Sequence, residues 1–267
     1  MTLISTLSII CYLATGFLLV HGLLKYPDRP CPFKQYLLIP GLLGLILHAG
    51  VLYNGIFTPS GLDVSFFQIF SLVGWLVALL LLTSALRQPI EYLGIIVMPF
   101  TALALLLEQM TDQHHYLPQH FSAGLEFHIL ISILAYSLLS VAMVQALLLH
   151  IQDAHLHNKH PGGFIRALPP LQTMETMLFR MIGLGFIILS ASLLSGFIFL
   201  ENMFAQHLVH KTFLSIVAWL LYATLLWGRW QFGWRGRTAI RWAVSGFIAL
   251  MLAYFGSKFV IELILQR

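Results

Sequence analysis

The chain has 267 residues, of which 59% are hydrophobic and only 9% are charged. A soluble globular domain carries about 25% charged residues, so this composition excludes an ordinary soluble protein and indicates an integral membrane protein. The net charge of +4 does not indicate nucleic-acid binding, because the basic residues are scattered over several loops and form no patch.

The apolar segments predict an all-α, polytopic transmembrane helical bundle, because they are much longer than the alternating segments of a membrane β-barrel. A helical span needs roughly 20 mostly apolar residues. We predict eight spans, at residues 3–24, 36–53, 67–86, 92–110, 123–149, 181–200, 211–228 and 242–263. The spans and their short loops use nearly the whole chain, so we expect one transmembrane domain over residues 1–267.

The basic residues predict the orientation of these spans. Eleven of the fourteen lysines and arginines fall in loops on one side of the predicted membrane: Lys25, Arg29, Lys34, Arg87, Lys159, Arg166, Arg180, Arg229, Arg235, Arg237 and Arg241. The positive-inside rule makes this side cytoplasmic, so we expect both termini on the external, periplasmic side. No lysine or arginine precedes the first span, which favours a retained helix over a cleavable signal.

Two histidines lie within or at the mouth of apolar spans, His48 in the second and His128 in the fifth. The predicted orientation places both in the external half of the bilayer. A polar side chain at that depth is costly unless it has a partner, and imidazole nitrogen is a common ligand of iron. We therefore predict His48 and His128 as candidate axial ligands, with hydrogen-bonded core histidines as the alternative.

Small and polar residues accompany both histidines. Gly41, Gly44 and His48 share one helix face, and glycines there let a neighbouring helix or a flat ligand approach closely. Polar side chains also recur at four-residue steps along the fifth span, at His128, Ser132, Tyr136 and Ser140. We expect this polar stripe to face the interior of the bundle, because it would be costly against lipid.

Other histidines lie in loops. The external loops contain His114, His115, His120, His207 and His210, which can assist metal or haem binding or can simply be solvated. We retain His210 as a further candidate cofactor-binding residue. The cytoplasmic segment from His150 to His160 predicts a solvated loop, because no cysteine joins its histidines and their spacing matches no closed zinc site.

The remaining polar and sulfur-containing residues indicate no enzyme of a common class. Cys11 and Cys31 are predicted to be free thiols, and there is no Cys-x-x-Cys-His sequence for covalent haem attachment. Glu108 and Glu126 are the acidic residues best placed for proton chemistry, with solvation at the membrane interface as the alternative. Residues 169–181 predict an amphipathic lead-in to the sixth span, with Met174, Met177 and Met181 facing lipid.

Three segments resemble the CcsA/HemX superfamily of cytochrome c assembly proteins. They are EFHILISILAYSLLSVAMVQALLLH (126–150), PPLQTMETMLFRMIGLGFIILSASLLSG (169–196) and KTFLSIVAWLLYATLLWGRWQFGWRGRTAIRWAVSGFIALMLAYFG (211–256). The resemblance is strongest over residues 126–256, while the N-terminal half matches only in hydropathy and in the position of His48.

The resemblance implies a haem-handling bundle of the bacterial inner membrane, with noncovalent b-type haem as its cofactor. His128 matches the family's histidine at the mouth of this span, and His48 lies where an N-terminal transmembrane histidine is expected. Besides the lipid bilayer, the implied partners are haem-handling or cytochrome c maturation proteins.

One departure from the family bears on activity. Before the seventh span the family's synthases carry a Trp-rich motif ending in Trp-Asp, whereas this chain reads ENMFAQHLVHK. We therefore expect a protein that holds haem and is not an enzyme. A cofactor-free structural or regulatory membrane subunit and an accessory to ion transport are the alternatives.

Overall fold

A computed structural model describes residues 3–25, 34–58, 61–63, 65–87, 90–111, 116–117, 123–157, 168–199 and 209–256. Within these residues the α-helices are α1 Leu3–Lys25, α2 Lys34–Ile56, α3 Phe66–Ala85, α4 Gly94–Gln109, α5 Ala123–His157, α6 Leu171–Phe199, α7 Val209–Phe232 and α8 Gly236–Met251. A 3-10 turn at Glu91–Leu93 precedes α4, and a π-helical turn at Leu252–Gly256 follows α8. The predicted polytopic helical bundle is confirmed.

A small antiparallel sheet, which the sequence did not predict, accompanies the helices. Its strands are β1 Phe57–Thr58, β2 Gly61–Asp63 and β3 Tyr116–Leu117, with β2 in the centre. Phe57 pairs with Leu62, and Leu62 pairs with Leu117. The sheet therefore links the segment after α2 to the segment after α4.

Seven helices in the described part of the chain are long and apolar enough to cross a membrane. The eighth predicted span begins within α8, but residues 257–263 lie outside the described residues. The count of eight therefore stays a prediction. The external position of both termini also stays a prediction, because an odd number of spans would place the termini on opposite sides.

The helices form two compact units. The first unit comprises residues 1–119 and 155–170, and the second comprises residues 120–154 and 171–267. In the first unit, α1 packs against α2 and α4, and α3 packs against α4 and α2. The predicted small face of α2 contacts α1: a Cβ atom added at Gly44 would lie 3.1 Å from Cβ of Cys11. The Ser8 hydroxyl donates to the Gly44 carbonyl at 2.8 Å. Cys11 is a buried free thiol, as predicted.

In the second unit, α7 packs against α6 and α8. Two polar contacts hold the α7–α8 turn to neighbouring helices. The buried Glu175 carboxylate of α6 accepts a hydrogen bond from the Gly236 backbone N–H at the start of α8. Arg237 pairs with Asp153 of α5 at 3.1 Å on the exposed surface.

Two predictions about the segments that the sequence assigned to the cytoplasmic side are wrong. Helix α6 begins at Leu171, and Met174 and Met177 are buried rather than lipid-facing. The face of α6 that carries Met174 and Glu175 contacts α5 and α8. Gln145 Nε2 of α5 donates to the Met174 carbonyl at 3.0 Å, and the Gly236 N–H of α8 donates to Glu175.

The predicted loop from His150 is helical as far as His157, and residues 158–160 lie outside the described residues. No proline or glycine lies between His150 and His157, so nothing in these described residues ends the helix early.

Candidate functional site

The candidate site in the second unit is built on His128, at the external end of α5 in the predicted orientation. Its Nδ1 atom lies 3.0 Å from the Ser192 carbonyl oxygen and 2.9 Å from Ser195 Oγ, both on α6. A carbonyl oxygen can only accept a hydrogen bond, so Nδ1 carries the proton and donates it. The neutral imidazole then keeps the lone pair on Nε2, which is the atom available to bind iron.

Serine hydroxyls fix the position of this imidazole. Ser132 Oγ donates to the His128 carbonyl at 2.6 Å and lies 2.7 Å from Ser192 Oγ. Ser195 Oγ donates to the Ser192 carbonyl at 2.8 Å, which leaves its lone pairs to accept from Nδ1 of His128. The first turns of the predicted polar stripe therefore face α6, as expected.

Further along α5 the stripe also faces the interior. Tyr136 is buried, with its ring 5.5 Å from the Phe247 ring and 6.2 Å from the Tyr254 ring. Ser140 donates to the Tyr136 carbonyl at 2.8 Å, so its hydroxyl is satisfied within its own helix.

Two glycines of α5 and α6 lie in close contact with side chains of the other helix, and only the first of them is near His128. A Cβ atom added at Gly124 would lie 2.3 Å from the Phe199 ring, one turn before His128. A Cβ atom added at Gly185 would lie 2.5 Å from Cδ2 of Leu139. Both distances are far below van der Waals contact, so neither position accepts a larger residue without movement of its neighbour.

The chemistry of His128 fits an axial ligand of haem. Ligating histidines commonly donate their second ring N–H to a carbonyl or carboxylate, which fixes the tautomer and the ring orientation. His128 makes this contact with Ser192. Haem iron needs only one or two protein ligands, because the porphyrin supplies the others. In the residues described here, no group of three or more His, Cys, Asp or Glu side chains can hold a metal ion.

His48 lies in the first unit in a different environment. Its side chain is completely buried, Nε2 lies 2.9 Å from Ser71 Oγ, and Nδ1 lies 3.3 Å from the Tyr12 hydroxyl. The Tyr12 and His48 rings meet edge-on at 5.9 Å. Both ring nitrogens are therefore hydrogen-bonded, which is the arrangement expected of a core histidine. Ligation of iron by His48 stays a prediction, and it would require one of these two contacts to break.

Two further buried polar side chains lie in the same unit as His48. Glu108 Oε2 and Gln68 Nε2 are both without a hydrogen-bond partner among the described residues. The sequence indicated Glu108, but Tyr12, Ser71 and Gln68 were missed. Gln68 and Ser71 stand three residues apart in an otherwise apolar stretch, residues 66–82, and this spacing was the available signal that they share a helix face.

The other predicted site residues are not tested by the structure. His210 belongs to the first turn of α7, but its side chain lies outside the described part. The loop residues His114, His115, His120 and His207 also lie outside it, as does the Glu126 side chain. Their proposed contributions to metal, haem or proton chemistry stay predictions.

Comparison with known proteins shows the family. The family described as cytochrome C assembly protein matches residues 36–265. The inner membrane protein YpjD of Escherichia coli K12 is 31% identical over 266 residues, which cover 99% of this chain and 100% of YpjD. The resemblance therefore includes the N-terminal half, where the sequence alone indicated only hydropathy and one histidine.

Relatives named cytochrome c biogenesis protein CcsA match smaller parts. The protein from Prochlorococcus marinus is 25% identical over 201 residues, covering 66% of this chain and 62% of its own length. The protein from Gloeobacter violaceus is 26% identical over 103 residues, covering 38% of this chain and 30% of its own length. No solved structure matches the chain. The chain is thus a multi-pass protein of the bacterial inner membrane, and it belongs to the cytochrome c assembly protein family.

Proposed function

We propose that this protein binds b-type haem noncovalently in the membrane, with Nε2 of His128 as an axial ligand. The observation that carries the proposal is the contact between Nδ1 of His128 and the Ser192 carbonyl. This contact leaves the lone pair on Nε2 and restricts the orientation of the ring before any ligand arrives. A preorganised imidazole of this kind loses little freedom when it binds iron.

Membership of the family supports the choice of haem. Cytochromes c carry haem attached at a Cys-x-x-Cys-His sequence, so their assembly requires haem to be handled before attachment. This chain has no such sequence of its own, which is consistent with noncovalent binding. When bound, haem supplies the iron and its redox chemistry, while the protein supplies binding and orientation.

The role that we propose is to hold haem rather than to attach it, so the protein is not a synthase. The segment ENMFAQHLVHK (201–211), which runs into the first turn of α7, lacks the tryptophans and the aspartate that the resemblance led us to expect in a synthase. The proposed partners are therefore proteins that supply haem to this one or receive haem from it during cytochrome c maturation.

A haem titration tests this proposal. Purified protein in detergent is titrated with haem, and the absorption change is followed for the wild type, His128→Ala and His150→Ala. His150 is an exposed histidine of the same helix and serves as the matched control. We expect saturable binding by the wild type and by His150→Ala, and at least tenfold weaker binding by His128→Ala. Equal affinities for all three proteins would contradict ligation by His128.

A cofactor-free structural or regulatory subunit is the second candidate function. The environment of His48 favours it, because both ring nitrogens are satisfied by hydroxyl groups without any ligand. This candidate predicts no saturable haem binding by the wild type, so the same titration separates the two functions. A parallel titration of His48→Ala tests the predicted ligation by His48.

A further inference from the structure

The α7–α8 turn of the second unit has a well-defined conformation. Gly233 and Gly236 have φ values of +65° and +53°, in the left-handed region that favours glycine. The Trp234 ring folds back against α7, where a Cβ atom added at Gly228 would collide with it. The Trp234 carbonyl accepts a hydrogen bond from Arg229 at 3.0 Å. The side chains on this turn are therefore held by a fixed backbone.

The acidic groups that contact this turn are already engaged. Asp153 of α5 pairs with Arg237, and the Glu175 carboxylate of α6 accepts from the Gly236 N–H. Asp153 and Glu175 are the acidic side chains that the structure describes in the second unit. Arg229 in turn donates to the turn itself. Any further positive charge at this turn therefore lacks an acidic partner among the described residues.

Two arginines carry such a charge. Arg235 directly precedes α8, and Arg241 lies in the second turn of that helix. Both are exposed, and neither side chain has a hydrogen bond or an ion pair within the described part of the chain. Their neighbours in sequence, Trp234 and Trp242, stack with ring centroids 5.5 Å apart. Arg235 and Arg241 therefore adjoin one pair of stacked rings, roughly 9 Å apart along the helix axis.

Large aromatic side chains are exposed beside these charges. Trp227, Trp230 and Phe232, at the end of α7, are 59%, 82% and 67% exposed. The stretch of α7 that is long and apolar enough to cross a membrane ends at Phe232. Tryptophan rings are common at that depth, where the bilayer meets water. The surface around the turn thus combines unpaired guanidinium groups with rings that face the headgroup region of a membrane.

We propose that the α7–α8 turn binds the headgroup of an anionic phospholipid, with Arg235 and Arg241 as ligands of its phosphate oxygens. Trp230 and Phe232 then contact its glycerol and upper acyl chains. A guanidinium group binds phosphate through two parallel N–H···O hydrogen bonds. A zwitterionic lipid carries an ammonium group that needs an acidic partner, and none is free here. A soluble phosphate has no apolar part for the exposed rings to contact.

Quenching of tryptophan fluorescence by brominated lipids tests the proposal, because four of the six tryptophans lie at this turn. The full-length protein is reconstituted in vesicles that contain brominated phosphatidylglycerol or brominated phosphatidylcholine. The two sets of spectra give the binding constant of phosphatidylglycerol relative to phosphatidylcholine. An arginine near an anionic lipid contributes about fivefold in affinity. Two arginines should therefore give the wild type a preference for phosphatidylglycerol of more than about fivefold.

The variants separate a specific site from diffuse surface charge. Arg235→Gln and Arg241→Gln should each lower the preference by about fivefold. Arg87→Gln, which removes an exposed arginine of the first unit, should keep the wild-type preference. Quenching by brominated phosphatidylcholine alone should be equal in all four proteins, which shows that the tryptophans have not moved. If a glutamine variant changes this quenching, the lysine variant of the same arginine decides the question. It keeps the charge but loses the paired N–H donors, and it should still lower the preference.

Four results would overturn the proposal. The first is equal quenching of the wild type by the two brominated lipids. The second is a preference that is unchanged in Arg235→Gln and Arg241→Gln, and the third is an equal loss in Arg87→Gln. The fourth is loss of the preference when inorganic phosphate or poly-glutamate is added at constant ionic strength, because the turn would then bind a free anion or an acidic polypeptide. Bound haem affects quenching by both lipids equally, so the ratio is independent of the proposed function.

Discussion

Nδ1 of His128 lies 3.0 Å from the carbonyl oxygen of Ser192, and this single contact determines the tautomer of the imidazole. The carbonyl belongs to the backbone of α6, so its acceptor role does not depend on the rotamer of a side chain. The Ser195 hydroxyl also contacts Nδ1 of His128. The Ser132 hydroxyl donates to the His128 carbonyl and lies within hydrogen-bond distance of Ser192 Oγ. The proposed ligand is therefore held by the packing of α5 against α6, and the first predictions concern that packing.

Ser195→Ala should weaken haem binding without abolishing it. The substitution removes one hydroxyl from Nδ1 of His128 but leaves the Ser192 carbonyl in place. Removing a residue that hydrogen-bonds a metal-ligating histidine typically lowers metal affinity by about 10- to 100-fold. We expect a loss of haem affinity of about tenfold, because the Ser192 carbonyl still holds the ring. Haem titration measures the change. Thr176→Ala, which removes an exposed hydroxyl bonded within the same helix, should bind haem as the wild type does. Equal affinity for Ser195→Ala and Thr176→Ala would show that Ser195 does not support the ligand.

Gly124→Ala should destabilise the α5–α6 contact. The added methyl group would lie 2.3 Å from the Phe199 ring, so the ring or the helix must move. Overpacking of this kind costs about 1–3 kcal/mol, and thermal unfolding in detergent measures it. Gly183→Ala in α6 is the matched control, because a Cβ atom there has nothing within 4 Å. An unchanged melting temperature for Gly124→Ala would contradict the close approach of Phe199.

Glu175→Ala should destabilise the start of α8 by about 1–3 kcal/mol, because it leaves the Gly236 N–H without its acceptor. Glu175→Gln keeps an acceptor oxygen and should lose much less. Asp153→Asn, which removes the exposed ion pair with Arg237, should cost less than about 1 kcal/mol. Denaturant unfolding compares the three variants, and a larger loss for Asp153→Asn than for Glu175→Ala would reverse the expected order.

Tyr12→Phe should lower the stability of the first unit by about 1 kcal/mol. The hydroxyl that it removes lies 3.3 Å from the buried Nδ1 of His48, while the phenyl ring still fills the same space. His48→Ala should cost more, since it also leaves a cavity beside Tyr12 and Ser71. Thermal unfolding of the two variants measures both effects. A Tyr12→Phe variant as stable as the wild type would indicate that this hydrogen bond contributes nothing to folding.

Hydropathy predicted the helices well, because each span must be long enough to cross the bilayer and must contain mostly apolar residues. The shared face of Gly41, Gly44 and His48 was also predictable, because residues three and four apart lie on one side of a helix. The partner of this face was not predictable, because the register between α1 and α2 depends on tertiary packing. For this reason, the sequence indicated His48 but did not indicate Tyr12 as its partner.

The burial of Met174 and Glu175 shows where amphipathic patterns mislead. The amphipathic pattern from residue 169 predicted that the methionines face lipid, but it could not show that Met174, Met177 and Glu175 would all be buried. Gln145 binds the Met174 carbonyl, and Glu175 binds Gly236 from a distance of 61 residues in the chain. Contacts of such long sequence separation leave no periodic signal. The sequence could not identify the Ser192 carbonyl as the partner of His128, because every residue has a backbone carbonyl group.

The absorption spectrum of the protein purified from haem-replete cells tests the central claim most directly. We predict a Soret band for the wild type and for His150→Ala, and its loss or a marked shift for His128→Ala, with all three proteins equally well folded by circular dichroism. A wild-type protein without a Soret band would contradict haem binding. A band that is identical in the wild type and in His128→Ala would contradict the assignment of His128 as the ligand.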